Sequence, residues 1–172
     1  ALKPDNISHK EAAVIPFGGT TAMHFLKKAN IQPGQKVLVY GASGAVGTAV
    51  VQIAKHLGAV VTAVCSRTNA ALVKSLGADK VIDYNTTDFT NSNEVYDVIF
   101  DTVNKTSFSN NLKVLIKKGV LLLSAAEMPQ MMRGAWTNMT GGRKVVTGVN
   151  GEKTEDMVFL AGLIEAGKMK AV

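Results

Sequence analysis

The sequence predicts an α/β fold in which helices cover both faces of a parallel, six-stranded sheet. Short apolar runs of strand length alternate along the chain with segments of helical periodicity. The runs recur roughly every twenty residues, which is the length of one strand plus a crossover helix. Right-handed crossovers among six such strands give a doubly wound sheet, most simply in the order 3-2-1-4-5-6.

Six apolar runs are predicted as strands, because parallel strands covered on both faces are apolar throughout. They cover residues 36–40, 59–64, 80–82, 97–100, 120–123 and 145–149. Four helices are expected between or after them, at residues 45–57, 69–76, 107–115 and 152–166. In the last of these helices, one face is apolar and is expected to pack on the sheet, with Met157, Leu160, Ala161 and Ile164.

Two further helices are predicted ahead of the first strand. Ser8-His-Lys-Glu11 has the form of a capping box, which starts a helix, and a second helix is expected over residues 20–29. By contrast, residues 125–142 are predicted to form a long irregular loop. This loop is a candidate for a substrate-facing or interface-forming segment because of its large apolar side chains, Met128, Met131, Met132, Trp136 and Met139.

The glycine-rich turn after the first strand is the strongest functional signal. Gly41, Gly44 and Gly47 let the backbone turn tightly and approach a bound group without Cβ atoms in the way. The next helix points its free N–H groups and the positive end of its dipole at open space beside the sheet, which suits a phosphate. We therefore predict a dinucleotide whose pyrophosphate contacts Ser43, Gly44, Ala45, Val46 and Gly47. The Ser43 hydroxyl is either a further donor or an ordinary turn serine.

The residues after the second strand distinguish NAD from NADP. NAD binders place Asp or Glu there to accept hydrogen bonds from the ribose hydroxyls. This chain has Ser66 and Arg67 instead. The Arg67 guanidinium suits a 2′-phosphate, with Ser66 as an additional donor, so NADP(H) is the predicted cofactor. The alternative is a solvent-exposed arginine that binds no ligand.

Composition and charge restrict the remaining possibilities. The 172 residues are 47% apolar, enough for the core of one domain. No apolar run reaches the length of a membrane span and the first residues are unlike a signal peptide, so a cytoplasmic protein without a membrane partner is expected. Cys65 is the only cysteine, and no metal site is predicted. The net charge of +6 comes from basic pairs scattered over separate elements, which argues against nucleic-acid binding.

Several segments together resemble the medium-chain dehydrogenase/reductase family, and within it the zinc-independent branch similar to quinone oxidoreductases. The resemblance covers essentially the whole chain. It is carried by residues 3–13 and 16–22, Gly41-Ala-Ser-Gly-Ala-Val-Gly47, Leu76-Gly-Ala-Asp79, Val81-Ile-Asp-Tyr84 and Asp101-Thr-Val-Asn104. The family has glycine where this chain has Asn104, so the backbone conformation at this position is left open.

The resemblance implies a Rossmann fold and adds residues to the predicted cofactor site. It places Tyr84 near the 2′-phosphate, and it places Thr21, Asn104, Ser124 and Ala125 near the nicotinamide. Judged from the residues alone, Tyr84 is equally a half-buried tyrosine at a strand end. Thr21 is equally a hydroxyl at the start of a helix.

The resemblance also implies that residues 1–172 are a single dinucleotide-binding domain excised from a larger, two-domain enzyme. Catalytic groups are then expected in the other domain, so no catalytic residue is predicted here and the isolated domain is expected to be inactive. The implied reaction of the full-length enzyme is hydride transfer to a small-molecule substrate, namely an activated alkene, quinone or carbonyl. The cofactor domain of a zinc-dependent alcohol dehydrogenase and a non-catalytic dinucleotide sensor are the alternatives.

The predicted sixth strand, residues 145–149, lies at the outer edge of the sheet with one side unpaired. The strand is apolar, and charge precedes it only at Arg143 and Lys144, so its edge is poorly protected. The resembled family commonly joins two such edges across a two-fold axis, so we predict a homodimer through this strand. The alternative is a monomer whose edge is shielded by the helix at residues 152–166.

Overall fold

One parallel, six-stranded sheet organises the protein, and its order is the predicted β3-β2-β1-β4-β5-β6. The computed structural model describes residues 1–140, 142–148, 151 and 153–172. The strands are β1 (Lys36–Tyr40), β2 (Val60–Cys65), β3 (Lys80–Asp83), β4 (Tyr96–Asp101), β5 (Leu115–Leu123) and β6 (Lys144–Val146). The helices are α1 (His9–Ala29), α2 (Ala45–His56), α3 (Ala70–Ser75), α4 (Phe108–Lys113), α5 (Met128–Thr140) and α6 (Thr154–Glu165). Short 3-10 turns at Arg67–Asn69 and Phe89–Asn91 follow β2 and β3.

Helices cover both faces of the sheet, so the predicted doubly wound α/β fold is confirmed. Val37 and Val39 of β1 point into a core beneath α1, α2, α3 and α6. Leu38 points into a second core, which α4 and the 3-10 turn after β3 cover. Both faces of the strand are therefore buried, which is why its sequence is apolar without alternation.

Parallel pairing brings the carboxyl ends of neighbouring strands to the same edge of the sheet. Tyr40 at the end of β1 is paired with Val64 of β2 and with Asp101 of β4. Cys65 at the end of β2 is paired with Asp83 of β3. The connections leave β1 and β4 toward opposite faces at this edge, and such a switch point is where ligands bind in open α/β sheets.

The two helices predicted before the first strand are one continuous helix, α1, so that prediction was wrong. The predicted capping box starts it, since Ser8 Oγ accepts a hydrogen bond from Glu11 N at 3.2 Å and Ser8 N donates to Glu11 Oε2 at 2.7 Å. The helix runs through Pro16 because tight packing holds it in place. A Cβ on Gly18 would lie 2.3 Å from the Ala45 carbonyl oxygen of α2. Proline and glycine, which suggest an interruption in the sequence, here permit close contact between helices.

The segment predicted as an irregular loop, residues 125–142, contains the 13-residue helix α5, so that prediction was also wrong. The side chain of Gln130 caps the N-terminus of α5, because Gln130 Oε1 accepts a hydrogen bond from Glu127 N at 2.9 Å. Gly134 faces β6, and a Cβ there would lie 2.9 Å from Val145 Cγ1. The large apolar side chains of α5, Met128, Met132, Trp136 and Met139, recur at helical spacing, and packing of Gly134 against the edge strand adds to the stability of the helix.

The fifth strand begins earlier than predicted, at Leu115, where the sequence predicts the end of a helix. The pairing of β4 with β5 shifts in register between Leu115 and Val120. Lys118 has a left-handed backbone, with φ of 68°, within this irregularity. A β-bulge interrupts the alternation of the strand, which explains why its first half is not recognisable from the sequence.

Apart from the end of β6, the remaining predicted bounds agree with the observed bounds to within two residues. β6 ends at Val146, and Val149, the last residue of the predicted strand, lies outside the described residues. Glu152, the first residue of the predicted last helix, also lies outside them. Among the described helices, none combines the length and the apolarity needed to cross a membrane.

Candidate functional site

The carboxyl edge of the sheet gathers the turns that carry the predicted cofactor residues. Each turn follows a different strand, and the strands end level with one another. The residues concerned are Ser43 to Gly47 after β1, Ser66 and Arg67 after β2, Tyr84 after β3, Asn104 after β4, and Ser124 and Ala125 after β5. The structure therefore brings residues that are more than eighty positions apart in sequence, such as Ser43 and Ala125, to one edge.

Two of the three glycines in the turn after β1 are required by packing or by backbone conformation, whereas Gly44 is not. Gly47 packs against the turn itself, since a Cβ there would lie 2.2 Å from the Gly41 carbonyl oxygen. Gly41 has φ of 80°, a left-handed conformation that favours glycine. Gly44 is not required by packing, because a Cβ there would meet only the Gly41 carbonyl oxygen at 3.5 Å. The space beside Gly44 is thus open to a ligand.

Uncommitted backbone donors surround that space. Gly44 precedes α2 as its N-cap and provides no side-chain cap, and the first turn of α2 carries no acidic residue. Within the described part of the chain, the amides of Ser43, Ala45 and Val46 donate to no backbone carbonyl. The positive end of the α2 dipole therefore lacks a partner there. Amides of this kind fit the pyrophosphate of a dinucleotide.

A side-chain hydrogen bond connects the turn after β1 with the turn after β2. Asn69 Nδ2 donates to Ser43 Oγ at 3.0 Å. Asn69 ends the 3-10 turn that also contains Arg67. The Ser43 hydroxyl keeps its own proton as a donor, while its oxygen holds the second turn in position.

The end of β2 presents a cation and hydroxyl groups. Arg67 is exposed, and the Ser66 and Thr68 hydroxyls hydrogen-bond to each other at 2.8 Å. Asp83 of β3, which pairs with Cys65, accepts hydrogen bonds from the backbone and side-chain amides of Asn85 through Oδ1, at 3.0 and 2.9 Å, and its Oδ2 has no partner among the described residues. No acidic residue stands directly after β2, where an NAD binder places one for the ribose diol, so the cation and the hydroxyls there suit a phosphate better.

Tyr84 lies at the same edge, one strand further out. It is 52% exposed, and its N–H donates to the carbonyl of Cys65 at 3.3 Å. Tyr84 lines a polar cleft of about 210 Å³ together with Tyr40 and Lys105. Burial and the carboxylate of Asp101 raise the pKa of the Tyr40 phenol, so this group stays a neutral hydroxyl.

Asn104 has the left-handed backbone of the glycine that it replaces, with φ of 55°. Asparagine tolerates this conformation better than most residues. The buried carboxylate of Asp101 fixes it, since Asp101 Oδ1 accepts from Asn104 N at 2.8 Å and from Val103 N at 3.0 Å. Asp101 Oδ2 accepts from the Thr106 hydroxyl at 2.6 Å. The question that the sequence leaves open at Asn104 is thereby answered.

A second cleft, of about 470 Å³, opens on the β4 and β5 side of the glycine-rich turn. Among its lining residues are Thr21 of α1, Val46 of α2, and Ser124 and Ala125 after β5. Thr21 is buried, so it is part of the cleft wall and not an exposed residue at a helix start. Of the residues predicted near the nicotinamide, this cleft unites Thr21, Ser124 and Ala125, whereas Asn104 is not among its lining residues.

Two residues of this region are not predicted from the sequence. Thr102 lines the second cleft, and Gln130 hydrogen-bonds to the side chain of Asn104. Met131, from the segment predicted as substrate-facing or interface-forming, also lines the second cleft. Thr102 lies inside the motif Asp101-Thr-Val-Asn104, which could have identified it. A signal for the helix of Gln130 and Met131 was also present, since proline is favoured in a first helical turn and Pro129 is followed by a glutamine at the capping-box position.

The described residues do not offer a site for a metal ion. No group of three His, Cys, Asp or Glu side chains within that part of the chain could hold one. Cys65 is buried, and its burial is the main cause of the raised pKa of its thiol. The nearby charge of Asp83 raises this pKa further. A protonated, buried thiol is neither a metal ligand nor a nucleophile.

Comparison with known proteins gives a family and a consistent set of relatives. The family model described as "Zinc-binding dehydrogenase" matches residues 45–166. The chain is 38% identical to 2-methylene-furan-3-one reductase of Solanum lycopersicum, over 100% of this chain and 41% of the relative. It is 35% identical to the chloroplastic NADPH-dependent alkenal/one oxidoreductase of Arabidopsis thaliana, with the same coverage. The solved quinone oxidoreductase from Coxiella burnetii matches with a TM-score of 0.87 and 25% identity, over 99% of this chain and 53% of that chain.

Proposed function

Because the chain belongs to the zinc-binding dehydrogenase family, we propose that it is the NADP(H)-binding domain of an oxidoreductase. The resemblance to the medium-chain dehydrogenase/reductase family is confirmed, and the relatives reported above belong to its quinone and alkenal reductase branch. The substrate that we propose is an activated alkene, a quinone or a carbonyl, because the relatives' names cover a furanone, alkenals and a quinone.

One observation carries the cofactor assignment. The space beside Gly44 is not filled by other atoms of the protein. It adjoins the amides of Ser43, Ala45 and Val46, which have no backbone acceptor in the described part of the chain. A bound anion would supply the hydrogen-bond acceptors that these amides lack. Arg67 and the Ser66 hydroxyl stand directly after β2, where an NAD binder places Asp or Glu, and this favours NADP(H) over NAD(H).

In this proposal the chain binds and orients the cofactor, and the bound cofactor supplies the hydride. The amides of Ser43, Ala45 and Val46 hold the pyrophosphate, whereas the Gly44 N–H donates to the Gly41 carbonyl at 3.1 Å and Gly44 contributes open space. Arg67, Ser66 and Tyr84 hold the 2′-phosphate. Thr21, Ser124 and Ala125 form the walls of the cleft for the nicotinamide, with Asn104 next to them. Apolar neighbours such as Val46 and Met131 exclude water from that cleft, which protects a hydride donor from side reactions.

The catalytic groups are proposed to lie in another part of the parent protein. The chain spans about half the length of its relatives or less, 41% of the two named above and 53% of the solved structure. We therefore regard residues 1–172 as one dinucleotide-binding domain of a two-domain enzyme. The described residues do not fit zinc, despite the name of the family, so no step is assigned to a metal in this chain.

Localisation and assembly remain proposals. We keep the cytoplasmic prediction as a proposal, and one named relative is chloroplastic. We also propose a homodimer through the edge strand β6, which in the described part of the chain pairs with β5 alone and is covered at Val145 by the side chain of Asn138.

The experiment that tests the proposed function is titration calorimetry of the chain with NADPH, NADH and 2′,5′-ADP. We expect NADPH and 2′,5′-ADP to bind, and NADH to bind more weakly. The same protein should not oxidise NADPH in the presence of quinones or enals. Absence of binding by both dinucleotides would refute the assignment, and sustained oxidation would place catalytic groups in this chain.

A further inference from the structure

The side chain of Gln130 connects helix α5 with the turn after β4. Gln130 Oε1 accepts a hydrogen bond from Glu127 N at 2.9 Å, and Gln130 Nε2 donates to Asn104 Oδ1. Both ends of the amide group are engaged, so the side chain is held in a single orientation. Met131, the next residue, lines the 470 Å³ cleft together with Thr102 from the turn after β4.

This network determines which atom of Asn104 is engaged. The Glu127 N–H can only donate, so Gln130 must direct its oxygen to it and its NH2 group to Asn104. Asn104 must then meet Gln130 with Oδ1. Its Nδ2 is left as a donor that no described residue engages, on a backbone that Asp101 already fixes.

We propose that Gln130 is a positioning residue that orients the Asn104 amide and thereby keeps Asn104 Nδ2 available to a ligand. The ligand group is a carbonyl or hydroxyl oxygen of the nicotinamide riboside half of the cofactor. Asn104 follows Thr102 by two residues and is hydrogen-bonded to Gln130, which precedes Met131, and both Thr102 and Met131 line the cleft assigned to that half. This inference rests on the proposed function. Gln130 contacts no ligand in this scheme and acts only through Asn104.

Gln130→Glu reverses the amide of Asn104 while preserving the helix start. One oxygen of the new carboxylate still accepts from Glu127 N, but the other cannot donate, so Asn104 must turn its Nδ2 toward it. Loss of one ligand hydrogen bond should raise the Kd for NADPH about three- to tenfold. Asn104→Asp, which removes the donor directly, should have the same effect. The Kd for 2′,5′-ADP, which lacks the nicotinamide half, should change less than about twofold.

Gln32→Glu is the matched control, because it adds the same charge at an exposed glutamine that precedes β1, at the opposite edge of the sheet. It should leave both dissociation constants unchanged. If Gln130→Glu binds NADPH as tightly as the unmodified chain, or weakens 2′,5′-ADP equally, the positioning role is refuted.

Side-chain amide NMR separates this inference from the proposed function. The Asn104 NH2 protons should exchange quickly with water in the unmodified chain and slowly in Gln130→Glu, where they donate to the carboxylate. The Asn104→Asp spectrum assigns the signal. If the chain binds neither NADPH nor NADH, the proposed function fails, and the exchange rates still decide the orientation. Equal rates in both proteins would overturn it.

Discussion

Asn138 of α5 and Val145 of β6 are joined by two hydrogen bonds at the outer edge of the sheet. Asn138 Oδ1 accepts from Val145 N at 2.6 Å, and Asn138 Nδ2 donates to the Val145 carbonyl oxygen at 2.9 Å. Because successive residues of a strand direct their N–H and C=O groups to opposite sides, Val146 faces β5 and Val145 faces outward. The edge that the sequence predicts to be unprotected is therefore covered at this residue by α5.

We predict that Asn138 limits self-association through β6. Asn138→Ala frees the N–H and C=O of Val145 to pair with a second copy of the chain. Each new hydrogen bond contributes roughly 1 kcal/mol, and part of this gain is offset by the entropy lost on pairing, so the dimer should become about tenfold tighter. Sedimentation velocity at micromolar concentration measures the change. Thr137→Ala, one position earlier on α5, is the control and should have no effect.

If the unmodified chain, Asn138→Ala and Thr137→Ala are all monomers, β6 is excluded as a dimer interface. Val146→Pro is a poor probe of this edge, because the Val146 N–H faces β5. That substitution should loosen the pairing of β6 with β5 whether or not a dimer forms.

The residues after β2 should make the chain prefer NADPH to NADH. A charge-assisted hydrogen bond from Arg67 to the 2′-phosphate contributes about 1.5–3 kcal/mol, which corresponds to roughly a ten- to hundredfold difference in affinity. Arg67→Ala should weaken NADPH binding and leave NADH binding nearly unchanged, as measured by calorimetry. Arg133→Ala, on α5, controls for the loss of positive charge. Equal affinities for both cofactors in the unmodified chain would contradict the assignment.

Gly44 and Gly47 should respond differently to alanine. Gly44→Ala has room for its Cβ, so the free energy of unfolding should fall only by about 0.5–1 kcal/mol, the loss expected when alanine replaces glycine at an N-cap. The methyl group would, however, occupy the space assigned to the pyrophosphate, and NADPH affinity should fall at least about tenfold. Gly47→Ala brings its Cβ against the Gly41 carbonyl and should destabilise the fold by about 2 kcal/mol.

Urea unfolding and calorimetry on both variants separate the two roles. If Gly44→Ala binds NADPH normally, the space beside Gly44 is not the cofactor site. If Gly44→Ala instead unfolds as easily as Gly47→Ala, the turn tolerates a side chain at neither position.

Stability should fall on acidification because of Asp79. Burial opposes its charge, but hydrogen bonds from Lys55, at 2.9 Å, and from Val61 N, at 2.7 Å, outweigh burial and hold the pKa of the carboxyl below its ordinary value. A carboxyl whose pKa is depressed in the folded state stabilises the fold above its unfolded pKa, and the stabilisation is lost as the pH falls through the folded pKa. Hydrogen bonds from Lys80 and Tyr96 lower the pKa of Glu94 in the same sense.

Asp79→Asn should therefore lower the free energy of unfolding at pH 7 by about 1 kcal/mol, a value reduced for partial exposure. The same variant should lose less stability than the unmodified chain between about pH 5 and pH 3. Urea titrations at both pH values measure this. Asp5→Asn, at an exposed aspartate, is the control, and parallel pH profiles for Asp79→Asn and the unmodified chain would refute the role of Asp79.

The sequence by itself determined the sheet, its order and the predicted cofactor turn. These features depend on local patterns, namely apolar runs such as Val37 to Tyr40 and the spacing of Gly41, Gly44 and Gly47. Right-handed crossovers then leave few arrangements for parallel strands, so the strand order follows from the number and spacing of the runs. Residues that follow strand ends, such as Ser66, were predictable for the same reason, because all of these ends meet at one edge.

Only the tertiary structure decided how the helices pack, including that α1 continues through residues that disfavour a helix. Pro16 lies within α1 because Gly18 packs against the backbone of α2, a contact between residues that are distant in the chain. Helix α5 packs Gly134 and Asn138 against the edge of β6, contacts that the apolar spacing of its own sequence does not reveal. The hydrogen bond of Gln130 to Asn104 depends in turn on α5. Such contacts gain free energy only when the sheet has formed, so no local pattern encodes them.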